Sequence, residues 1–409
     1  MNLPFRIAKR YFFSHNKRSF ISIIALIAMI GVGVGTMAMV VVLSVFNGME
    51  DLNRQIFKTF DADMKITPRE GRRFVLPDAA LQKIKSTDGV AYITEVIEDN
   101  ALARYRDNQM VVRLKGVDST FEQRGQLDTA MTEGILKLQG ENGTPFAVVA
   151  DGVRSSLLIS MNDPLAAIEL WYPRNDRRTL SLNSPDAFNQ AIVRPGGTFF
   201  IESRYDDFVI APLATVASLL QYGKQRTSLE IQLRPGSDPE EVQDKLRNVL
   251  GKSFVIENRD EQNADLLRAI RVEKLFVTVT LAFIIMVAAI NIFFSLSMLA
   301  IEKKDDVRML FALGATTSLV RRIFLSVGGI VALSGAILGL VLGVGICWIQ
   351  QKYGLVSMGM VSSMVDAYPI KLVWSDVGVT ALIIILITVA VSYIPARRAS
   401  HGVDTSRLG

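Results

Sequence analysis

Four stretches of this chain contain no Asp, Glu, Lys or Arg: Ser19–Met49, Leu275–Ile301, Ile323–Gln351 and Val377–Ala396. Ionised side chains are costly in hydrocarbon, and roughly 20 apolar residues let a helix cross a bilayer. One such run could be a buried core helix, but four predict four membrane spans. The first exceeds the roughly 7–15 apolar residues of a cleaved signal peptide, and no A-x-A site follows it. It reads as a retained anchor.

Charge sets the expected orientation. Arg6, Lys9, Arg10, Lys17 and Arg18 precede the first run with no acid among them. The link after the second run holds Lys303, Lys304, Arg308, Arg321 and Arg322 against Glu302, Asp305 and Asp306. The tail holds Arg397, Arg398 and Arg407 against Asp404. Lys and Arg favour the cytoplasmic side, so both termini and the link are expected there, with His15 and His401. The expected map is a cytoplasmic segment 1–18, span one 19–49 and an outer domain 50–274. Span two 275–301, a cytoplasmic helix and loop 302–322 and span three 323–351 follow. An outer loop 352–376, span four 377–396 and a cytoplasmic tail 397–409 complete it. The basic balance, +5 over 409 residues, is thus a topology signal. The bases flank spans instead of forming one patch, which argues against nucleic-acid binding.

The outer domain begins with a polar helical pattern, Glu50–Phe60, which extends span one. Asp63–Thr67, Ala91–Glu98, Ala101–Arg106 and Met110–Val117 read as strands, and Pro77–Lys85 as a short helix. Ser228–Arg234 is a further strand. Asp238-Pro239-Glu240-Glu241 opens a helix that stops at Gly251, and Ser253–Asn258 is again a strand. Two strand–helix–strand units predict a ferredoxin-like α+β subdomain built from both ends of the segment. A β-rich insert at about 145–212 separates them, with strands at Ala166–Tyr172 and Gly197–Ile201. The polar stretch Pro173–Pro195 reads as a long loop.

Several chemistries are excluded. Gly251-Lys252-Ser253 resembles the end of a phosphate loop, but Leu246 stands where that motif needs Gly, and the helix comes before it. The outer domain has no His or Cys, which removes His-based metal sites and Ser-His or Cys-His catalysis there. Asp206-Asp207 reads as a solvated turn. The spans carry no Asp, Glu, Lys or Arg of the kind ion-coupled transport needs. The expectation is a non-enzymatic chain with no metal or cofactor of its own.

Two features carry a positive signal. Gly335, Gly339 and Gly343, extended by Ala332 and Cys347, form a small-residue stripe on span three. It is expected to pack within the bundle, with a dimer seam as the alternative. Gly31, Gly33 and Gly35, at spacing two, cannot share one helical face and read as local flexibility. The second feature is the link. Glu302–Leu313 is expected as a helix, with Gly314 at its stop and Thr316, Thr317 or Ser318 capping the next. Val307, Leu310, Phe311 and Gly314 share one face, and Glu302, Lys303, Asp305, Asp306 and Arg308 crowd the first turns. This suits docking into a groove of a cytosolic partner better than lying on lipid.

The link, read as Glu302-Lys303…Val307…Leu310…Leu313-Gly314-Ala315, resembles the coupling segment of the FtsX/MacB-like permeases, the type VII ABC systems. Tyr393-Ile394-Pro395-Ala396-Arg397-Arg398-Ala399-Ser400 is similar to that family's end of span four. Leu43-Ser44-Val45-Phe46-Asn47-Gly48-Met49-Glu50 resembles the exit of span one in the lipoprotein-releasing branch. Gly197-Thr198-Phe199-Phe200, Tyr205-Asp206-Asp207, Pro212-Leu213 and Arg271-Val272-Glu273-Lys274 are further matches.

The resemblance implies a bacterial inner-membrane permease subunit with a periplasmic domain. It would pair with an identical or homologous permease and a cytosolic ABC ATPase dimer that holds ATP and Mg. Residues 302–315 would be gripped by that ATPase. A lipoprotein would enter between apolar spans, past Val40, Leu43, Phe46, Phe276 and Phe283, and pass to a periplasmic carrier. The alternatives are a subunit signalling to a periplasmic hydrolase and a MacB-like exporter. A receptor without an ATPase is a further alternative, against which the coupling segment argues.

Overall fold

The computed structural model describes residues 3–12, 20–140, 142–161, 167–174, 187–358 and 367–401. His15, Lys17, Arg18, Asp404 and Arg407, and residues 175–186 of the expected long loop, lie outside the described residues. The chain opens with α1 (Leu3–Phe12) and α2 (Phe20–Phe60). β1 (Met64–Pro68), α3 (Asp78–Lys85), β2 (Val90–Tyr105) and β3 (Asn108–Val117) follow. Next come α4 (Thr120–Gln123), β4 (Met131–Gly134), β5 (Phe146–Ala150), α5 (Asp151–Leu157), β6 (Ile168–Pro173) and β7 (Phe188–Phe199). β8 (Phe208–Pro212), α6 (Leu213–Leu220), β9 (Ser228–Leu233), α7 (Pro239–Leu250), β10 (Phe254–Asn258) and α8 (Arg259–Gln262) complete the α+β part. The last helices are α9 (Ala264–Glu302), α10 (Lys304–Ala312), α11 (Thr317–Tyr353) and α12 (Trp374–His401). Two compact units result, one from Met1–Leu52, Arg268–Met358 and Val365–Gly409, the other from Asn53–Leu267.

In the first unit, α2, α9, α11 and α12 are long and apolar enough to cross a membrane. α2 and α9 have 41 and 39 residues. At 1.5 Å per residue each is about 60 Å long, roughly twice a hydrocarbon core. Each helix therefore continues well past the span expected from its apolar run, because Glu50–Phe60 and Ala264–Lys274 keep helical pattern after their hydropathy falls.

Their packing rests on glycine. The stripe Gly335, Gly339 and Gly343 of α11 lies on α2, so it serves packing within the chain. A Cβ at Gly339 would enter the Gly33 carbonyl, and one at Gly343 would sit 3.1 Å from Val40 Cβ. The reading of Gly31, Gly33 and Gly35 as flexible is corrected. Gly33 faces α11, with room for a Cβ only 3.1 Å from the Gly335 carbonyl oxygen. Gly31 and Gly35 face α9 at Ala288 and Ile285. Spacing two splits the three glycines between two neighbours, and each neighbour demands close approach.

The second unit is one ten-stranded sheet ordered β10-β1-β9-β2-β3-β8-β5-β7-β4, with β6 pairing β2 and β7. Its first four strands are all antiparallel. With α3 between β1 and β2 and α7 between β9 and β10, they form the ferredoxin-like arrangement. The two helices cover a core of Met64, Ile66, Ile84, Ile93, Ile231, Val242, Leu246 and Ile256. α7 starts as its sequence demands, with Asp238 accepting from the Glu240 N–H and Pro239 at the first position.

The rest of the sheet departs from expectation in three places. Ala91–Glu98 and Ala101–Arg106 are one strand, β2, because β3 pairs it continuously from Val96 to Tyr105. β7 begins at Phe188, inside the expected loop Pro173–Pro195, because β6 pairs with it from Ile168 to Pro173. The insert starts before residue 145, since β4 adds an edge strand to β7. Four residues ending in Gly134 carry no readable alternation.

A charged cluster lies inside this sheet. Lys115 Nζ is 2.7 Å and Arg124 Nη1 2.9 Å from the Glu230 carboxylate. Their side chains are 3%, 1% and 5% exposed, in that order. Burial pushes the Glu230 carboxyl up, but Lys115 and Arg124 outweigh it, with help from Lys65, and hold it at about 2.

We expect Gly339→Leu to destabilise the membrane unit by about 3 kcal/mol or more, because backbone must move. Gly345→Ala, with open space around it, serves as the neutral control. Melting of the purified protein in detergent checks both. Glu230→Gln is expected to cost the outer unit about 3–5 kcal/mol by stranding two buried cations. The folded pKa of Glu230 is depressed. Its stabilisation is therefore complete above the unfolded value, about 4.3, and is lost as pH falls towards about 2. Denaturant unfolding between those two pH values should decline more steeply for the native chain than for Glu230→Gln.

Candidate functional site

The link between the second and third spans is a built corner. α9 ends at Glu302, and Lys303, at φ −96° and ψ 20°, breaks the helix before α10. The expected helix from Glu302 is thus two pieces, with Glu302 closing α9. Lys303 pairs with Asp306 at 3.4 Å and Arg308 with Asp305 at 3.1 Å. At the other end the Gly314 N–H donates to the Phe311 carbonyl and the Ala315 N–H to the Leu310 carbonyl, both at 2.9 Å. This double closure needs a left-handed residue, and Gly314 supplies it at φ +89°. Thr316 then caps α11 by accepting from the Leu319 N–H at 3.3 Å.

The face assigned to partner docking is corrected. Val307 is buried in the core of the membrane unit, and Phe311 packs against that core. Leu310 is half-buried. A short helix beside an apolar bundle satisfies its apolar stripe on its own chain first. The outward face consists of Glu302, Lys304, Asp305, Arg308, Met309, Ala312 and Leu313. Met309 and Leu313 are 65% and 79% exposed. Lys304 was not singled out for docking, and neither were Met309 and Ala312. The available signal was their position on the face opposite Val307 (i+2 and i+5). α1 braces the corner, with Ala8 in the same core and the Tyr11 ring 5.7 Å from Lys303 Nζ. Burial, and then the Asp306 charge, raise the Tyr11 phenol above its ordinary value.

Of the residues expected along the lipid path, two are misplaced. Val40 and Leu43 are 2% and 3% exposed inside the unit, Val40 against the α11 stripe. Apolar character within a span does not tell lipid side from helix side. Phe46 is half-buried, and Phe276 and Phe283 are exposed on α9.

Several residues quoted for the family resemblance gather in the α+β unit around the end of α2. The Phe60 ring lies 6.0 Å from Phe199, 4.7 Å from Tyr205 and 4.8 Å from Phe208, with Lys115 Nζ 4.5 Å away. The Tyr205 hydroxyl donates to Asp61, and burial followed by the Asp61 charge drives its pKa upward. Asn263 Nδ2 donates to the same carboxylate at 2.8 Å, and Arg259 pairs with Asp63 at 2.6 Å. The start of α9 and the end of α2 are thereby held to one another and to the sheet. Asp206-Asp207 is the expected turn, but it is half-buried and not fully solvated. Asp207 binds Arg113 at 2.7 and 2.9 Å, and Asp206 is half-buried, its carboxyl raised by burial, then by Asp151 and Asp207. Among the described residues no cluster of His, Cys, Asp or Glu suits a metal ion.

Comparison with known proteins agrees with this anatomy. The FtsX-like permease C-terminal family matches residues 278–402, and the MacB-like periplasmic core domain matches 25–171. The lipoprotein-releasing system transmembrane protein LolE of Haemophilus influenzae is 23% identical over 98% of this chain and 97% of its own. LolC of Neisseria meningitidis is 22% identical over 96% of each chain. LolC of Buchnera aphidicola is 21% identical over 83% of this chain and 82% of its own. Among solved structures, the periplasmic region of MacB from Actinobacillus actinomycetemcomitans aligns with a TM-score of 0.36. It is 14% identical, over 51% of this chain and 94% of that one.

Val307→Asp is expected to lower the melting point sharply, since a lone buried charge costs several kcal/mol. Leu313→Asp should leave the melting point unchanged, because its side chain has no partner to lose. Thermal denaturation of both variants separates the inward face of α10 from the outward one.

Proposed function

Because the chain is an FtsX/MacB-like permease of the LolC/LolE type, we propose that it releases lipoproteins from the inner membrane. In this reading it is a non-catalytic subunit. A separate ABC ATPase dimer holds ATP and Mg and grips the outward face of α10, with Met309 and Leu313 as apolar anchors. Asp305 and Arg308 form the polar rim of that contact. A second permease subunit, identical or homologous, completes the pair. Both termini and α10 face the cytoplasm, as the Lys and Arg distribution favours, and the α+β unit faces the periplasm.

Nucleotide-driven closure of the ATPases would move α10. Because Val307 and Phe311 are packed into the membrane unit, that motion reaches α9 and α2, whose far ends are fixed around Phe60 and Asp61. A lipoprotein would enter from the outer leaflet beside Phe276 and Phe283, and the acyl chains would be passed to a periplasmic carrier. The near full-length relation to LolE and LolC carries this reading. The exposed apolar pair on α10 supports the need for a partner.

Depletion of the protein should leave mature lipoproteins in the inner membrane. Unchanged transfer to the soluble carrier fraction would defeat the cargo assignment and favour a signalling or exporting subunit. Leu313→Asp and Met309→Asp should cut co-purification of the ATPase about tenfold or more, the scale of a lost interface anchor, while membrane levels hold. Full co-purification by both variants would refute the docking face.

A further inference from the structure

Two of the motifs quoted for the family resemblance, Leu43–Glu50 and Arg271–Lys274, take no part in α10. They meet each other within the membrane unit. Lys274 Nζ, on α9, donates to Asn47 Oδ1 on α2 at 2.8 Å and to Asp376 Oδ2 on α12 at 2.7 Å. Asn47 Nδ2 donates to the same Asp376 oxygen at 2.7 Å. Each side chain therefore touches the other two, and each comes from a different span. The neighbouring backbone reinforces the knot. A Cβ at Gly48 would enter the Pro369–Ile370 peptide. The Lys371 N–H donates to the Ser44 carbonyl at 3.0 Å, and the Lys371 ammonium pairs with Asp51. The segment leading into α12 is thus stapled along α2 from Ser44 to Asp51.

The chemistry of this knot suits opening. The neutral Asn47 amide accepts from the ammonium with its oxygen and donates to the carboxylate with its nitrogen. Lys274 and Asp376 keep 25% and 21% of their side chains exposed, so water can replace each partner as the knot parts. Such a contact holds firmly while its geometry is kept and costs little once water enters. Further along the same two helices, α2 and α9 meet through Gly31 at Ala288 and Gly35 at Ile285. That seam is apolar and small, and it offers no switchable contact. Asn47 and Lys274 stand at the end of the spans from which the chain leaves for the α+β unit.

We propose that Asn47, Lys274 and Asp376 form a polar latch that ties α2 to α9 and to α12 at that end. It opens during the ATP-driven cycle to admit the lipid-anchored substrate. The inference rests on the reading of α2 and α9 as walls of the substrate path. Asn47, Lys274 and Asp376 are positioning residues that act through the helices they join.

The test uses the complete transporter in membranes, in a Cys347→Ser background. Asn47→Cys and Lys274→Cys, which face each other across α2 and α9, form the first cross-linking pair. Asp51→Cys and Lys371→Cys, in the same staple, form the second should the first fail to assemble. Disulfide yield is read without nucleotide and after trapping with ATP and vanadate. A yield about tenfold higher without nucleotide is expected, with release lost in the oxidised complex and restored by reductant. Equal yields in the two states, or undiminished release by fully cross-linked protein, overturn the latch. If the unsubstituted transporter releases no lipoprotein while the cross-link still follows nucleotide, the latch stands and the cargo assignment falls.

Discussion

The membrane unit depends on backbone meeting backbone at Gly33, Gly335 and Gly339. Lipid tails are as apolar as leucine, so spans gain little by hiding apolar side chains from them. Association must come from shape, and shape here means helices without Cβ atoms where they cross. The close approach of α2 to α11 fixes the rotation of α2 about its own axis. That rotation sends Gly31 and Gly35 towards α9 and carries Asn47 to Lys274 and Asp376. A single helix thus has a separate answer for each neighbour, written in residues two apart.

Continuity is the second constraint. α2 and α9 do not stop where their apolar runs stop, and a continuous helix curves only gently unless its hydrogen-bond ladder is interrupted. Their far ends are fixed to one sheet by Phe60, Tyr205, Asp61 and Asn263. At the near end α9 breaks at Lys303 in a corner closed by Gly314. A displacement of α10 is therefore delivered to stiff elements, with no loose loop among the described residues of 302–317 to absorb it.

How much of this was legible follows from the range of each signal. The spans were legible because hydropathy accumulates over twenty residues. The ferredoxin-like half was legible because α3 and α7 each sit between alternating strands with local start and stop residues. β4 and the early start of β7 were not, since pairing decides them and their own sequence shows little alternation. The outward face of α10 was inverted because periodicity finds an apolar stripe without saying whose core it joins. Val40 and Leu43 were misplaced for the same reason. Asn47 and Lys274 stand in separate motifs and Asp376 in neither, and nothing in the sequence joins the three. Only the folded chain brings together residues more than a hundred positions apart.

Two of the charge clusters among the described residues differ in a way that tracks their roles. Glu230 meets two cations inside the sheet, almost wholly out of reach of water. Removing one partner there would leave an uncompensated charge, so the cluster behaves as a permanent fastening of β3, β9 and the turn at Arg124. Lys274 and Asp376 share their contact with water and with a neutral amide. Each of the three can find a substitute partner in solvent within a small displacement. The first arrangement resists force and the second yields to it. A machine that must hold its outer domain intact while parting two of its spans needs one of each.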